Sequence, residues 1–123
     1  MDHKRVSLPP PYETESFSLR FEQEDKAPFA LVLRLKGSVG NEEAKIIQDR
    51  TMGLLSSERN DPVIIDFSMV GYVSSSGIGT FLELLQKTEQ KGVPMRLSGV
   101  IPRIRSLFSA LGLETYFSFT DSV

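Results

Sequence analysis

The sequence predicts one α/β domain in which helices pack on a mixed β-sheet, with elements in the order β-β-α-β-α-β-α-β. Two segments of alternating apolar residues come first, at residues 17–22 and 29–36 with a polar turn at residues 22–26, and they are typical of half-buried strands. After them, stretches with helical apolar spacing alternate with short apolar runs, which indicate buried strands. At 123 residues and 40% hydrophobic content, the chain has the size and balance of a single domain.

The first half of the domain is predicted to be a hairpin followed by a helix. The two alternating segments pair as antiparallel strands, and Gly37 ends the second one. Asn41 stands where a helix N-cap is expected, and Glu42 and Glu43 complement the helix dipole in the first turn. The helix continues with an apolar stripe: Ala44, Ile47, Thr51, Leu54 and Leu55. It crosses over to a strand at residues 63–67, which should lie parallel to the second strand.

The second half alternates helix and strand. A serine-rich turn follows the strand at residues 63–67, and a helix is predicted from Ile78 until a cation and a glycine end it. A strand at residues 93–97, a helix that begins at Pro102 and a last short strand at residues 116–119 complete the domain.

Residues 1–15 are predicted to form a flexible lead that stays apart from the core, because they contain three consecutive prolines and few apolar residues. The domain itself is expected to span residues 16–123. His3, the single histidine of the chain, is predicted to be a solvent-exposed residue of this lead.

Composition argues against several functional classes. No apolar run of about 18 residues is present, so no membrane span is predicted, and no secretory signal is recognised at the N-terminus. The absence of cysteine excludes disulfides and thiolate chemistry. A formal net charge of -2 disfavours a nucleic-acid surface. We expect a cytoplasmic protein that contacts neither a membrane nor nucleic acid directly.

The serines at residues 74–76 stand at the predicted start of a helix, yet they match no catalytic motif. A nucleophile elbow requires glycine two residues before its serine, where Ser75 has Val73. A P-loop requires a lysine after its glycines, and a metal site requires several converging carboxylates or histidines. The local sequence provides none of these. We predict no enzymatic activity and no cofactor.

Asp66 ends the predicted central strand, where receiver domains carry a phosphorylated aspartate. The acidic pair and the lysine that such a domain requires are missing at the corresponding places. The residues favour a turn-forming carboxylate that accepts backbone N–H bonds.

Two interpretations of the serines remain open from the residues alone. Phosphorylation of one serine would add about -1.5 to -2 units of charge and three acceptor oxygens to a surface that a partner protein could cover. Alternatively, Ser75 or Ser76 caps the helix by accepting its first N–H groups.

Residues 66–79, DFSMVGYVSSSGIG, resemble the motif of STAS domains in bacterial anti-sigma factor antagonists, Asp-x-Ser-x-Val-x-Tyr/Phe-Met/Val-Asp-Ser-Ser/Ala-Gly-Leu-Gly. The Gly-Ser-Val sequence at residues 37–39 is similar to the Gly-x-Leu that precedes the first helix of the family. Residues 101–113 are similar to the third-helix segment. The resemblance extends from about residue 17 to residue 123 and implies a STAS-like single domain.

The resemblance also implies a mechanism called partner switching. In that family an unmodified antagonist binds an anti-sigma factor that is also a serine kinase, phosphorylation releases the antagonist, and a serine phosphatase restores it. Carried over by position, the phosphoacceptor is Ser75, with Ser76 and Ser74 as secondary candidates. The implied partner-binding residues are Gly40, Asn41, Ser74, Ser75, Gly77 and Ile78. The free protein is expected to be a monomer.

Two positions depart from the family pattern. Ser74 stands where the family usually has Asp, and Gly40 stands where it often has Asp, so the loop is less acidic. The alternative hypothesis is a STAS module that is not phosphorylated. Such a module would act as a scaffold or would sense a small ligand such as a nucleotide or a lipid.

Overall fold

A computed structural model describes residues 8–24, 29–57 and 60–121 of the chain. The elements in these ranges are β1 Tyr12–Glu13, β2 Phe17–Gln23, β3 Leu31–Val39, α1 Asn41–Leu55, β4 Val63–Val73, α2 Ser75–Lys91, β5 Met95–Ser98, α3 Pro102–Ala110 and β6 Ser118–Thr120. A 3-10 turn at Glu114–Tyr116 lies between α3 and β6. His3, residues 1–7 of the predicted lead and part of the predicted turn at residues 22–26 lie outside the described residues.

The strands form one mixed sheet in which spatial order follows sequence order from β1 to β6. The pairs β1–β2 and β2–β3 are antiparallel, and the pairs β3–β4, β4–β5 and β5–β6 are parallel. The predicted α/β fold with a mixed sheet is therefore confirmed, as is the parallel pairing of β3 with β4. No helix in the described part of the chain is both long and apolar enough to cross a bilayer.

The helices lie on one face of the sheet. Right-handed crossovers between neighbouring strands place every connecting helix on the same side, and the core agrees with this rule. Residues of all three helices, such as Ile47, Phe81 and Phe108, belong to one buried cluster with alternate residues of the strands. None of the helices in the described ranges packs on the opposite face, which we call the helix-free face. It carries a second, smaller buried cluster of Ala30, Val32 and Ile64.

β4 is longer than predicted, because it continues to Val73 instead of ending at residue 67. Two register shifts in its pairing with β3 each leave one extra residue on β4. As a result, the buried residues Phe67, Val70 and Val73 are three positions apart. That spacing is neither the alternation of a regular strand nor the period of a helix, so the sequence pattern indicated a turn.

Gly37 lies inside β3 and does not end it, contrary to the prediction. Its φ of +101° is a conformation that side chains other than glycine rarely adopt. A Cβ atom added here would overlap the backbone oxygen of Ser16, the residue before β2. The glycine therefore allows the chain to pass close to Ser16 and to continue in the sheet.

The helices α1 and α2 begin at other residues than predicted. Gly40, not Asn41, is the N-cap of α1, and its N–H donates to the Glu43 carboxylate over 3.0 Å. Glu43 thus forms the half of a capping box that accepts the N-cap N–H, while Gly40 has no side chain to accept an N–H of the first turn. α2 begins at Ser75 instead of Ile78. The strands β5 and β6 are displaced by one or two residues from the predicted segments.

The prediction that the lead stays apart from the core is wrong for Leu8 and Tyr12, which pack against the main cluster. Tyr12 belongs to β1, and its ring centroid lies 6.2 Å from that of Phe17. The Arg50 guanidinium lies 5.2 Å from the Tyr12 ring centroid and donates to the Pro10 carbonyl over 3.1 Å. Tyr12 thus attaches this segment to the core through its contacts with Phe17 and Arg50, although the segment contains few apolar residues.

We expect Gly37→Ala to lower the free energy of unfolding by about 3 kcal/mol, because the methyl group both strains φ and collides with Ser16. Gly53→Ala is the matched control, since Gly53 is exposed in α1 with open space around it and should gain about 0.5–1 kcal/mol. Urea unfolding monitored by circular dichroism measures both. A Gly37→Ala protein within about 1 kcal/mol of wild type would contradict this account of the β2–β3 approach.

Candidate functional site

The candidate site is the junction between β4 and α2. Since β4 continues to Val73 and α2 begins at Ser75, a single residue, Ser74, joins the strand to the helix. The Ser74 N–H donates to the Val39 carbonyl over 2.8 Å. This bond ties the junction to the end of β3, directly before α1.

Ser74 is the N-cap of α2. Its Oγ accepts a hydrogen bond from the Gly77 N–H at 3.0 Å, and the same hydroxyl donates to Asn41 Oδ1 at 3.3 Å. The prediction that Ser75 or Ser76 caps the helix is therefore wrong. The Ser74 hydroxyl therefore accepts one N–H of the first turn of α2 and also links that turn to Asn41, the first residue of α1.

Ser75 and Ser76 are exposed as the first two residues of α2. Within the described part of the chain, neither hydroxyl makes a hydrogen bond. The N–H groups of Gly77 and Ile78 are bound by the side chain and the carbonyl of Ser74. The N–H groups of Ser75 and Ser76 have no intrahelical acceptor, as expected for the start of a helix. A group on either serine would therefore meet the positive end of the helix dipole.

The predicted partner-binding residues divide into two groups. Gly40, Asn41, Ser74 and Ser75 meet where α1 and α2 begin, and Asn41 and Ser75 are exposed.

Gly77 and Ile78 lie beneath that surface, since both are buried and Ile78 is 1% exposed. A Cβ on Gly77 would come within 2.7 Å of Val73 Cγ1 and 3.3 Å of Val39 Cγ1. Gly77 and Ile78 therefore shape the junction from below and offer little surface to a partner.

The exposed surface at the junction carries few charges. The first turn of α2 contains no acidic residue, and no charged residue occurs in the sequence between Asp66 and Glu83. The acidic groups in the first turn of the neighbouring α1 are Glu42, which is exposed, and Glu43, which accepts the Gly40 N–H. Among the described residues, no group of three or more Asp, Glu or His side chains converges into a cation site.

Asp66 lies away from the junction, on the helix-free face. Its Oδ1 accepts the Ser68 N–H at 2.9 Å, which confirms the predicted bond to a backbone N–H, but the prediction of a turn is wrong because Asp66 lies inside β4. Its Oδ2 accepts a bond from Arg34 Nη1 at 2.8 Å, and Arg34 Nε donates to Glu22 Oε1 at 3.1 Å. The sequence analysis missed this ion pair. Arg34 and Asp66 are direct neighbours in the parallel register of β3 and β4, which only the fold reveals.

These contacts shift the pKa values of both partners. Burial alone would raise the pKa of Asp66, but hydrogen bonds from Arg34 and Ser68 outweigh it and hold the pKa below its ordinary value. The hydrogen bond to Asp66 is the main cause that raises the pKa of Arg34. The pair therefore stays ionised at neutral pH.

A profile of the STAS domain matches residues 19–123. The chain belongs to the STAS domain family. This STAS domain is similar in fold to the Bacillus cell fate determinant SpoIIAA in the phosphorylated form, with a TM-score of 0.63 and 21% identity over 81% of this chain and 90% of that chain. An anti-sigma factor antagonist from Mycobacterium paratuberculosis has a TM-score of 0.71 and 16% identity over 85% of this chain and 87% of that chain.

The STAS fold also occurs inside a larger protein. The murine anion transporter Slc26a9 matches with a TM-score of 0.67 and 14% identity over 90% of this chain and 21% of the transporter chain. At such identities the likeness shows the fold alone.

We expect Ser74→Ala to lower the free energy of unfolding by about 1 kcal/mol, because the Gly77 N–H loses its acceptor. Ser74→Asp should retain the cap. Ser76→Ala is the matched control, two residues further along the chain at an exposed position, and it should stay within about 0.5 kcal/mol of wild type. Urea unfolding of the three variants decides the matter, and equal losses for Ser74→Ala and Ser76→Ala would refute the assignment of the cap.

The Asp66 ion pair predicts a pH dependence of stability. Because the folded-state pKa of Asp66 is lowered, its stabilisation is complete above the unfolded pKa of about 3.9 and is lost as pH falls through the folded pKa. Asp66→Asn should therefore show a smaller fall in unfolding free energy below about pH 5 than wild type.

Asp49→Asn, at an exposed position of α1, is the control and should retain the wild-type slope. Unfolding titrations between neutral and acidic pH measure these slopes. Identical slopes in wild type and Asp66→Asn would contradict the prediction.

Proposed function

We propose that this STAS domain is an anti-sigma factor antagonist that acts in the cytoplasm without enzymatic activity of its own. It binds an anti-sigma factor that is also a serine kinase, and phosphorylation of Ser75 dissociates the complex. A serine phosphatase reverses the modification. The observation that carries the proposal is the exposed hydroxyl of Ser75 at the first position of α2, which makes no hydrogen bond to the described residues.

Accessibility distinguishes among the three serines. A kinase must bring the hydroxyl into its own active site, so a hydroxyl that the fold already uses is a poorer acceptor. Ser74 is engaged twice, as the cap of α2 and as the donor to Asn41. Ser75 and Ser76 make no such bond to the described residues, and Ser75 is the residue that the family motif aligns with the acceptor. Ser76 is the secondary candidate, and Ser74 is the least suited.

The structure offers a physical reason why a phosphate at Ser75 would leave the fold intact. The group would add about -1.5 to -2 units of charge at a helix start, where the dipole and free N–H groups favour an anion. No acidic residue of the first turn of α2 opposes it. The modification would therefore act on the surface that a partner covers.

Dissociation follows from the cost of burying that charge. The side chains of Asn41, Ser74 and Ser75 are polar and uncharged, although the exposed Glu42 follows Asn41, and such a surface suits a protein interface. A phosphate buried there without a cationic partner would cost several kcal/mol. A loss of about 4 kcal/mol weakens binding by about a thousandfold. Gly77 and Ile78 contribute by holding the junction in shape beneath this surface.

The first test identifies the partner and the modified residue. The protein is used as bait in native lysate, the captured complex is incubated with Mg-ATP, and mass spectrometry locates the phosphate. We expect modification at Ser75. Phosphate found only outside residues 74–76 would contradict the proposal.

The second test uses the purified partner and calorimetry. Ser75→Asp should weaken binding by about a hundredfold or more, because one fixed charge is buried at the interface. Ser75→Ala should bind like wild type and should not dissociate on addition of ATP. Ser76→Asp is the matched control, with the same charge at the adjacent exposed position and a smaller loss expected. No modification together with unchanged affinity of Ser75→Asp would favour the scaffold or ligand-sensing alternative.

A further inference from the structure

A groove of about 600 Å³ lies on the helix-free face, over the strands β1 to β4. We call it the sheet groove, and the lining residues that matter here are Ser18, Arg20, Arg34, Lys36 and Met69. Its volume falls within the range of about 300–1,000 Å³ that is typical of small-molecule sites. The residues of the β4–α2 junction, 74–76, do not line it.

The floor of the sheet groove consists of two rows of side chains in strand register. The rows are Glu13-Ser18-Lys36-Met69, from β1 to β4, and Arg20-Arg34-Asp66, from β2 to β4. Ser18 is the short side chain of the first row and is flanked on both sides by longer ones. This difference in length produces the depression between β1 and β3.

Three cations meet in this floor. Arg20 lies opposite Arg34 on the adjacent strand, and Lys36 follows Arg34 on the same face of β3. Like charges directly opposite each other in a sheet repel. Glu22 offsets the repulsion, since its carboxylate lies 3.1 Å from Arg34 Nε and 3.4 Å from Arg20 Nη2.

The carboxylates do not neutralise the cluster evenly. Arg34 is held by both Asp66 and Glu22, and Arg20 shares Glu22 with it. Lys36 has no carboxylate within salt-bridge distance among the described residues. The exposed Glu13 stands at the outer rim of its row. The inner part of the groove therefore holds three cations and two carboxylates. Arg34 is bound by both carboxylates and stands between Arg20 and Lys36, which are less fully paired.

An apolar side chain also lines the groove. Met69 of β4 lies at one end of the floor and is 60% exposed, whereas the ring of Tyr12 is on the helix side, against Phe17 and Arg50. Small-molecule sites combine apolar walls with a few convergent polar groups in this way.

We propose that the sheet groove binds a small organic anion. The carboxylate or phosphate group of the ligand contacts Lys36 and Arg20 above Ser18, and its apolar body lies along the groove against Met69. Arg34 is held in place by Asp66 and Glu22 and adds a fixed positive charge to the floor of the groove. The inference does not depend on the role proposed for Ser75.

Amide NMR titration of the full chain with phenyl phosphate tests the proposal. We expect saturable shifts at residues 18–20 and 34–36, with a dissociation constant below about 1 mM. Inorganic phosphate lacks the apolar body and benzyl alcohol lacks the charge, so each should bind at least about tenfold more weakly, a difference of about 1.4 kcal/mol. Equal affinity for either simpler probe would overturn the assignment to an organic anion.

Two charge-removing variants make the test specific. Lys36→Gln should raise the dissociation constant for phenyl phosphate by about tenfold or more, because an unpaired cation is lost. Lys36 has no ion-pair partner among the described residues, so its removal should not disturb the fold. Arg103→Gln is the control, since it removes an exposed cation from α3 and should leave the affinity unchanged.

Three further outcomes would overturn the site. They are no saturable shift up to about 10 mM probe, an unchanged affinity in Lys36→Gln, and shifts confined to residues 74–76. Ser75→Ala should bind phenyl phosphate like wild type, whatever its effect on a protein partner. Failure of the groove and failure of the phosphorylation switch are therefore distinguishable.

Discussion

The pairing of β4 with β3 is the interaction on which the rest of this STAS domain depends. β4 is 11 residues long and pairs with β3 as far as Val73, whereas β5 accompanies it only to Asp66. The last hydrogen bond of this region, from the Ser74 N–H to the Val39 carbonyl, brings the starts of α1 and α2 together. Gly77 then allows α2 to pack against the ends of both strands. The position of Ser75 is thus a consequence of backbone pairing, since only Ser74 lies between the end of β4 and the start of α2.

The one-sided arrangement of the helices gives the domain two surfaces of different character. The helix side encloses the core, and the start of α2 presents an uncharged turn with two exposed hydroxyls. The helix-free face carries the charged rows of β2 and β3, in which Arg34 and Asp66 form an ion pair. β4 contributes to both surfaces, because Asp66 and Met69 line the sheet groove and Val73 leads directly to the junction.

Ser74 illustrates how one substitution relative to the family pattern preserves structure while changing charge. A serine and an aspartate are both good N-caps, because either side chain offers an oxygen to the first free N–H groups. The hydroxyl of Ser74 caps α2 and also donates to Asn41, which an ionised carboxylate cannot do. The junction is therefore neutral before any modification, and a phosphate on Ser75 would provide nearly all the negative charge at the start of α2.

Local residue patterns were sufficient for the elements whose side chains follow a regular period. The alternation in β2 and β3 and the stripes of the helices predicted the mixed α/β sheet and the parallel crossover, and the motif at residues 66–79 predicted the family. Other features depend on residues that are remote in the chain. The bulges of β4, the close approach at Gly37 and the Arg34–Asp66 pair all arise from the register between strands. A hydrogen bond or a steric contact across that register has no periodic signature in either strand, so only the assembled sheet specifies it.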